Sequence, residues 1–146
     1  DINGKAADCD VIYLNGTLTL NDSSSYLTGQ TKVKTLIVNN LEITSSSTNR
    51  VGSDGSTHSP VKIIVEGQLD ADSSTSPGPI INGVVYVKLT TTIDGYFTLN
   101  GMLASYGKLD IKQTTAGSVK IRLTTDVFNS LSSPYATPIQ LSEIFS

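Results

Sequence analysis

The stretch Ile80-Ile81-Asn82-Gly83-Val84-Val85-Tyr86-Val87, followed by Ile93-Asp94-Gly95-Tyr96-Phe97-Thr98-Leu99-Asn100-Gly101-Met102-Leu103, is the most informative in the chain. It repeats one motif: an apolar residue, then Asn or Asp, then Gly, then any residue, then usually an apolar one. The motif also occurs at Leu14-Asn15-Gly16-Thr17-Leu18, with a variant at Val65-Glu66-Gly67-Gln68-Leu69 and a shortened form at Val38-Asn39-Asn40-Leu41. Asn-Gly and Asp-Gly are the preferred central pairs of two-residue hairpin turns, because both positions need positive φ. The same pairs also serve as corners of a β-solenoid, which repeats at a near-constant period. The glycines stand at 16, 67, 83, 95 and 101, giving intervals of 51, 16, 12 and 6. That irregularity favours hairpins. The expectation is therefore an all-β, antiparallel sandwich or barrel, pilin- or jelly-roll-like, with a β-solenoid as the alternative. Only Tyr96–Leu99 separates the last two motifs, so Asn100-Gly101 reads as a bulge.

On either side of this stretch, period-two alternation recurs while helical periodicity is almost absent. Candidate strands are Val11–Leu14, Thr17–Leu20, Lys32–Asn39, Leu41–Thr44, Val61–Glu66, Ile80–Ile81, Val84–Ile93, Tyr96–Leu99, Lys108–Lys112 and Val119–Thr125. Val, Ile and Thr are abundant throughout, a composition suited to pleated surfaces. Two polar inserts, Ser45–Ser59 and Asp70–Pro79, read as long loops. The length fits one β-domain, residues 1–146, with an exchangeable terminal strand at 1–14 or 134–146.

Net charge is −3, and the few Lys and Arg are scattered, which argues against a nucleic-acid partner. No apolar run approaches the roughly 18 residues of a membrane span. One cysteine, Cys9, allows no internal disulfide. A chain rich in Ser and Thr, with few charges and no Trp, suits an extracellular or cell-surface protein.

No constellation points strongly to chemistry. His58 is the lone histidine and sits in a Ser/Gly loop without a Gly-x-Ser-x-Gly elbow, so a serine triad is not expected. One His and one Cys cannot build a tetrahedral metal site. Asp70-Ala71-Asp72 opens like a calcium loop, but Thr75 and Ile81 break the pattern. Asp70 and Asp72, with Asp54, are left as a weak calcium candidate. Glycoside hydrolysis needs paired carboxylates, and Glu is limited to Glu42, Glu66 and Glu143. Asn15 and Asn21 head Asn-x-Ser/Thr sequons open to glycosylation. Cys9, between Asp8 and Asp10, is a poor nucleophile. Lys88 and Asn100 are a conceivable isopeptide pair. The expectation is no enzyme, no cofactor and no catalytic residue.

Alternating terminal segments suggest assembly instead. Pro138-Ile139-Gln140-Leu141-Ser142 and Asp10-Val11-Ile12-Tyr13-Leu14 are strand-like, so Val11, Tyr13, Ile139 and Leu141 are the candidate assembly residues. In composition, in strands such as Val84–Ile93 and in these termini, the chain resembles the Ser/Thr/Asn-rich β-sandwich subunits of archaeal and bacterial surface filaments, the thread-like and donor-strand pilins. It departs from type IV pilins, since Asp1–Asp10 is no long apolar helix, and from many chaperone–usher pilins, since it lacks paired cysteines. The resemblance implies a non-catalytic homopolymer with a glycosylated surface, built by β-strand addition. An adhesin or carbohydrate-binding module, with Tyr26, Tyr96, Tyr106 and Asp70 as residues to test, is the second expectation. A viral structural β-protein is the third.

Overall fold

A computed structural model describes residue 2 and residues 8–44, 48–112 and 117–131. The strands are β1 (Val11–Leu20), β2 (Ser25–Tyr26), β3 (Lys34–Thr44), β4 (Arg50–Val51), β5 (Val61–Val65), β6 (Leu69–Ser73), β7 (Ile80–Val87), β8 (Thr91–Gly95), β9 (Phe97–Ser105), β10 (Leu109–Lys112) and β11 (Val119–Arg122). A short helix, α1 (Thr125–Leu131), follows.

Every ladder between these strands is parallel. The molecule is a β-solenoid of about five turns. The antiparallel sandwich or barrel expected from the motif spacing is therefore overturned, and the Asn-Gly pairs are not hairpin turns. Among the described residues, antiparallel pairing is confined to a bridge between Ser53 and His58, inside the first polar insert.

The pairing defines three faces. Face 1 stacks residues 11–14, 34–38, 61–65, 83–87 and 101–105. Face 2 stacks 17–20, 41–44, 69–73, 91–95 and 109–112. Face 3 stacks 25–26, 50–51, 80–81, 98–99 and 120–121. The long strands β1, β3, β7 and β9 bend around a corner and serve two faces each. Coil length is uneven. Val11 pairs with Thr35, Thr35 with Lys62, Lys62 with Val84 and Val84 with Met102, so the second step is the longest and the last is the shortest.

This explains why the glycine intervals misled. The motifs occupy three different corners. Asn15-Gly16, Asn39-Asn40, Glu66-Gly67 and Gly107 mark the corner between faces 1 and 2, where Gly67 N donates to Asn39 O at 2.6 Å and Leu89 N to Gly67 O at 3.1 Å. Gly95 lies at the corner between faces 2 and 3, stacked on Ser73. Asn82-Gly83 and Asn100-Gly101 pair directly at the corner between faces 3 and 1. Read corner by corner, the step from Gly16 to Gly67 spans two coils and the step from Gly83 to Gly101 spans one. The shorter intervals pass between different corners. Asn100-Gly101 stays in register, and the irregularity in the ladder falls at Asn15-Gly16, between Leu14 and Thr17.

Inward side chains form continuous columns, because parallel in-register strands place equivalent residues about 4.8 Å apart. One runs Ile12, Leu36, Ile63, Val85, Leu103. Another runs Leu20, Ile43, Ala71, Ile93, Ile111. A third runs Tyr26, Val51, Ile81, Leu99, Ile121. The middle members of each are at most 2% exposed. The buried hydroxyl of Thr91 is satisfied by Ser105, Oγ1 to Oγ 3.0 Å. The insert Asp70–Pro79 proves half strand, since Leu69–Ser73 is β6 and fills the core with Leu69 and Ala71.

The close stacking of corners is what demands glycine. Gly83 has φ +152° and Gly101 φ +155°, and a Cβ at Gly83 would collide with the Val61 carbonyl oxygen. Gly83→Ala should therefore cost about 2–4 kcal/mol, through steric overlap and backbone strain together. The shift of its urea midpoint relative to the unchanged chain measures this.

Candidate functional site: the faces and ends of the solenoid

Because the interior is filled, function must reside on outward side chains, at corners, or at the two ends. The outward columns of the faces differ in chemistry. On face 2 they run Thr19, Glu42, Asp70, Thr92, Asp110 and Thr44, Asp72, Asp94, Lys112. Nothing apolar is among them, and Thr19 Oγ1 donates to Glu42 Oε2 at 3.3 Å. On face 1 they run Val11, Thr35, Lys62, Val84, Met102 and Tyr13, Ile37, Ile64, Tyr86, Ala104. All of these but Thr35 and Lys62 are apolar or aromatic. Val11, Tyr13 and Met102 are at least half exposed, and Tyr106 continues the surface with its ring 6.2 Å from that of Tyr86. Face 1 is thus the apolar exterior of the molecule, and contiguous exposed apolar surface marks interaction sites.

The two ends are unequal. At the N-terminal coil the inward residues Ile12, Leu20 and Leu27 are buried, and Ile2 and Cys9 pack against the core. Lys34, 7% exposed, anchors this end: its Nζ donates to Cys9 O at 2.8 Å and to Asp10 Oδ1 at 3.1 Å. The Lys34 hydrogen bond and the Lys32 charge hold the Asp10 carboxyl below the usual carboxylate range. Asp22 is lowered likewise, chiefly by the Tyr26 hydroxyl at 2.7 Å, while burial and Asp22 push the Tyr26 phenol up.

Among the described residues the C-terminal coil is open. Leu109, Ile111 and Ile121 occupy inward columns, yet they are 48%, 45% and 40% exposed. Among the described residues β10 pairs with β8 alone, and β11 with β9 alone. After β11 the chain leaves the solenoid path for α1, which buries Val127 and leaves Phe128 exposed. Among the described residues no polar cap covers this end, and a solenoid end without one leaves apolar side chains and backbone donors unsatisfied.

The residues singled out in the sequence distribute as follows. Val11 and Tyr13 lie in β1 on face 1, pointing outward, and β1 pairs with β3. Ile139 and Leu141 lie outside the described residues. Asn15 and Asn21 are both exposed, and Asn15 Oδ1 accepts from Asn39 Nδ2 at 3.0 Å at the corner. Asp70 and Asp72 project from β6 on face 2, away from Asp54. Among the described residues no group of three or more His, Cys, Asp or Glu is placed to hold a metal ion. Lys88 and Asn100 sit at different corners, and Asn100 Oδ1 accepts from Arg122 Nε at 3.0 Å. Tyr26, Tyr96 and Tyr106 do not share a face. The tyrosines that do line up on face 1, Tyr13, Tyr86 and Tyr106, were hidden in the sequence, because only the coil register relates residues 13 and 86.

His58 lines a cavity of about 280 Å³ with Lys32, Ser59, Asp126 and Ser130, between two loops and α1. The Ser59 hydroxyl accepts from Gln30 N at 3.2 Å. Among the described residues no hydrogen bond joins His58 to a serine hydroxyl or a carboxylate. Within the described residues no helix is long and apolar enough to cross a membrane.

The loop holding His58 is closed by Asp54, whose Oδ1 accepts from Thr57 N at 2.6 Å, Ser56 N at 2.8 Å and Ser56 Oγ at 2.8 Å. These bonds lower its carboxyl from 3.8 to about 2, backbone hydrogen bonds first. The folded value is depressed, so its contribution to loop order is complete above the unfolded value and disappears as pH falls through about 2. A carboxyl-carbon NMR titration should put the Asp54 midpoint near 2, and Asp54→Ala should abolish the bridge between Ser53 and His58 at neutral pH. A midpoint near 3.8 would show the turn to be absent in solution.

No protein-family model matches the chain, and no similar curated protein or solved structure was found.

Proposed function

We propose that the protein is an extracellular structural module without catalytic activity, a subunit of a cell-surface filament that grows by β-strand addition at the ends of the solenoid. The open C-terminal coil carries this reading. Leu109, Ile111 and Ile121 present nearly half of their surface to solvent in columns that are otherwise sealed. Unpaired strand edges beside them template further strands. The Ser/Thr-rich composition agrees with a place outside the cell, where the exposed sequons Asn15 and Asn21 would be usable. On this reading the purified chain forms regular filaments under the electron microscope as concentration rises. Ile111→Lys combined with Ile121→Lys should keep it monomeric. Because both residues are already part-exposed, the change should cost less than about 1 kcal/mol of stability. Equal assembly by the double variant, or monomers of the unchanged chain at every concentration, would reject the reading.

A second reading rests on face 1. Tyr13, Tyr86 and Tyr106 stand on one flat sheet surface with Ile37 and Ile64, an amphipathic platform of the kind that stacks against sugar rings. Affinity electrophoresis through polysaccharide-loaded gels tests it. Retardation should be lost in Tyr13→Ala with Tyr86→Ala, and retardation unchanged by both would remove the platform from consideration.

A further inference from the structure

The strand that adds to the open C-terminal coil can be identified, granting that the subunit assembles by strand addition. We infer that it is β1 of a second copy, seated in the same parallel register that joins coils within the chain. Three observations carry this.

The first is register. Four inward columns begin at the N-terminal coil and end at the C-terminal coil on an apolar residue: Ile12 and Leu103, Leu18 and Leu109, Leu20 and Ile111, Tyr26 and Ile121; a fifth runs from Leu14 to Ser105. A second copy stacked by one coil places Leu18 on Leu109, Leu20 on Ile111 and Tyr26 on Ile121, so the core continues through the junction. The outward apolar columns continue too, with Val11 on Met102 and Tyr13 on Ala104.

The second is edge chemistry. β1, Val-Ile-Tyr-Leu-Asn-Gly-Thr-Leu-Thr-Leu, has neither charge nor proline along its whole length, and among the described residues it pairs with β3 alone. Natural edge strands of this length are ordinarily blunted by charge. At the other end the edges of β10 and β11 carry charges, Asp110 and Lys112, Lys120 and Arg122, while the face 1 edge Gly101–Ser105 of β9 carries none.

The third is charge. The C-terminal rim holds Lys108, Lys112, Lys120 and Arg122 against Asp110, so two such rims repel and tail-to-tail pairing is disfavoured. The N-terminal coil exposes Asp8 and Asp22, which complement that rim, while Asp10 is already paired with Lys32 and Lys34. Contact between two different ends is heterologous and does not close, which produces a filament rather than a dimer. Ile12 and Leu20 are already buried in the single copy, so Ile2 and Cys9, which pack against this core, must move aside for seating. Ile2→Asp should therefore speed assembly.

Disulfide trapping in the full chain tests the register. Thr19 and Asp110 terminate one outward column, Thr19, Glu42, Asp70, Thr92, Asp110. In the inferred stack their Cα atoms are about 5 Å apart, within disulfide reach. The variant Thr19→Cys with Asp110→Cys, with Cys9→Ser to remove the native thiol, is oxidised and run on non-reducing gels. A ladder of dimers, trimers and longer species is expected, at least about tenfold above either single-cysteine variant, because stacking raises the local thiol concentration. Four results overturn the inference. Dimers from Asp110→Cys alone would show tail-to-tail pairing. A ladder that appears only after Ile139→Asp with Leu141→Asp would show the chain's own C-terminal residues on the edge. Filaments seen by microscopy without any ladder would leave strand addition standing and remove β1 as the donor. Absence of filaments as well would remove both.

Discussion

Parallel pairing in register, coil upon coil, governs this molecule. It fixes each residue's neighbours as those one coil before and one coil after, about 4.8 Å away on either side. Inward positions are therefore apolar along the columns from Ile12 to Leu103 and from Tyr26 to Ile121, and where one is polar, as at Thr91, it finds a partner in Ser105. The same register sorts the exterior. Face 2 accumulates Glu42, Asp70, Asp72 and Asp94, while face 1 accumulates Tyr13, Ile37, Ile64 and Tyr86, although neither set is contiguous in the chain.

Corners limit how tightly coils can stack. At Gly83 and Gly101 the backbone of one coil lies directly against the next, leaving no room for a side chain. Elsewhere the corner is held by polar side chains: Asn39 bonds Asn15, Asn40 Oδ1 accepts from Gln68 N at 3.0 Å, and buried Asn82 donates to Gly52 O at 3.2 Å. Asparagine suits this place because its amide both donates and accepts, so it can bond an amide, a hydroxyl or the backbone of the adjacent coil. Extra residues are accommodated between strands without disturbing the register. The longest coil, from Thr35 to Lys62, carries the loop closed by Asp54, and the shortest, from Val84 to Met102, dispenses with it.

A solenoid transfers its unsolved problem to its ends. The first coil has its inward residues covered, with Lys34 tying Asp10 and the Cys9 carbonyl into place. The last coil leaves Leu109, Ile111 and Ile121 part-exposed, and among the described residues its outer strand edges have no partner. That inequality gives the molecule a polarity, and polarity is what an open, repeating assembly requires. It also separates two kinds of surface: an end suited to continuing the ladder, and a flat aromatic flank suited to a partner lying along the axis.

Local patterning was enough to show that this chain is β-structured and roughly where. Alternation located β1, β3, β5, β7, β10 and β11, because period two is a local property of each strand. It also placed the Asn-Gly and Asp-Gly pairs at changes of chain direction, where positive φ is needed. It assigned Asp70–Pro79 to a loop and so missed β6, whose Asp70 and Asp72 look loop-like but simply face outward. The identity of the fold emerged only in three dimensions, since a turn and a solenoid corner ask for the same residues. What distinguishes them is whether the next strand returns beside its predecessor or travels on around the axis. Coils of unequal length erase the fixed period that would have revealed the latter. The aromatic flank and the open end were illegible for the same physical reason: each is made by residues a coil or more apart, brought together by register alone.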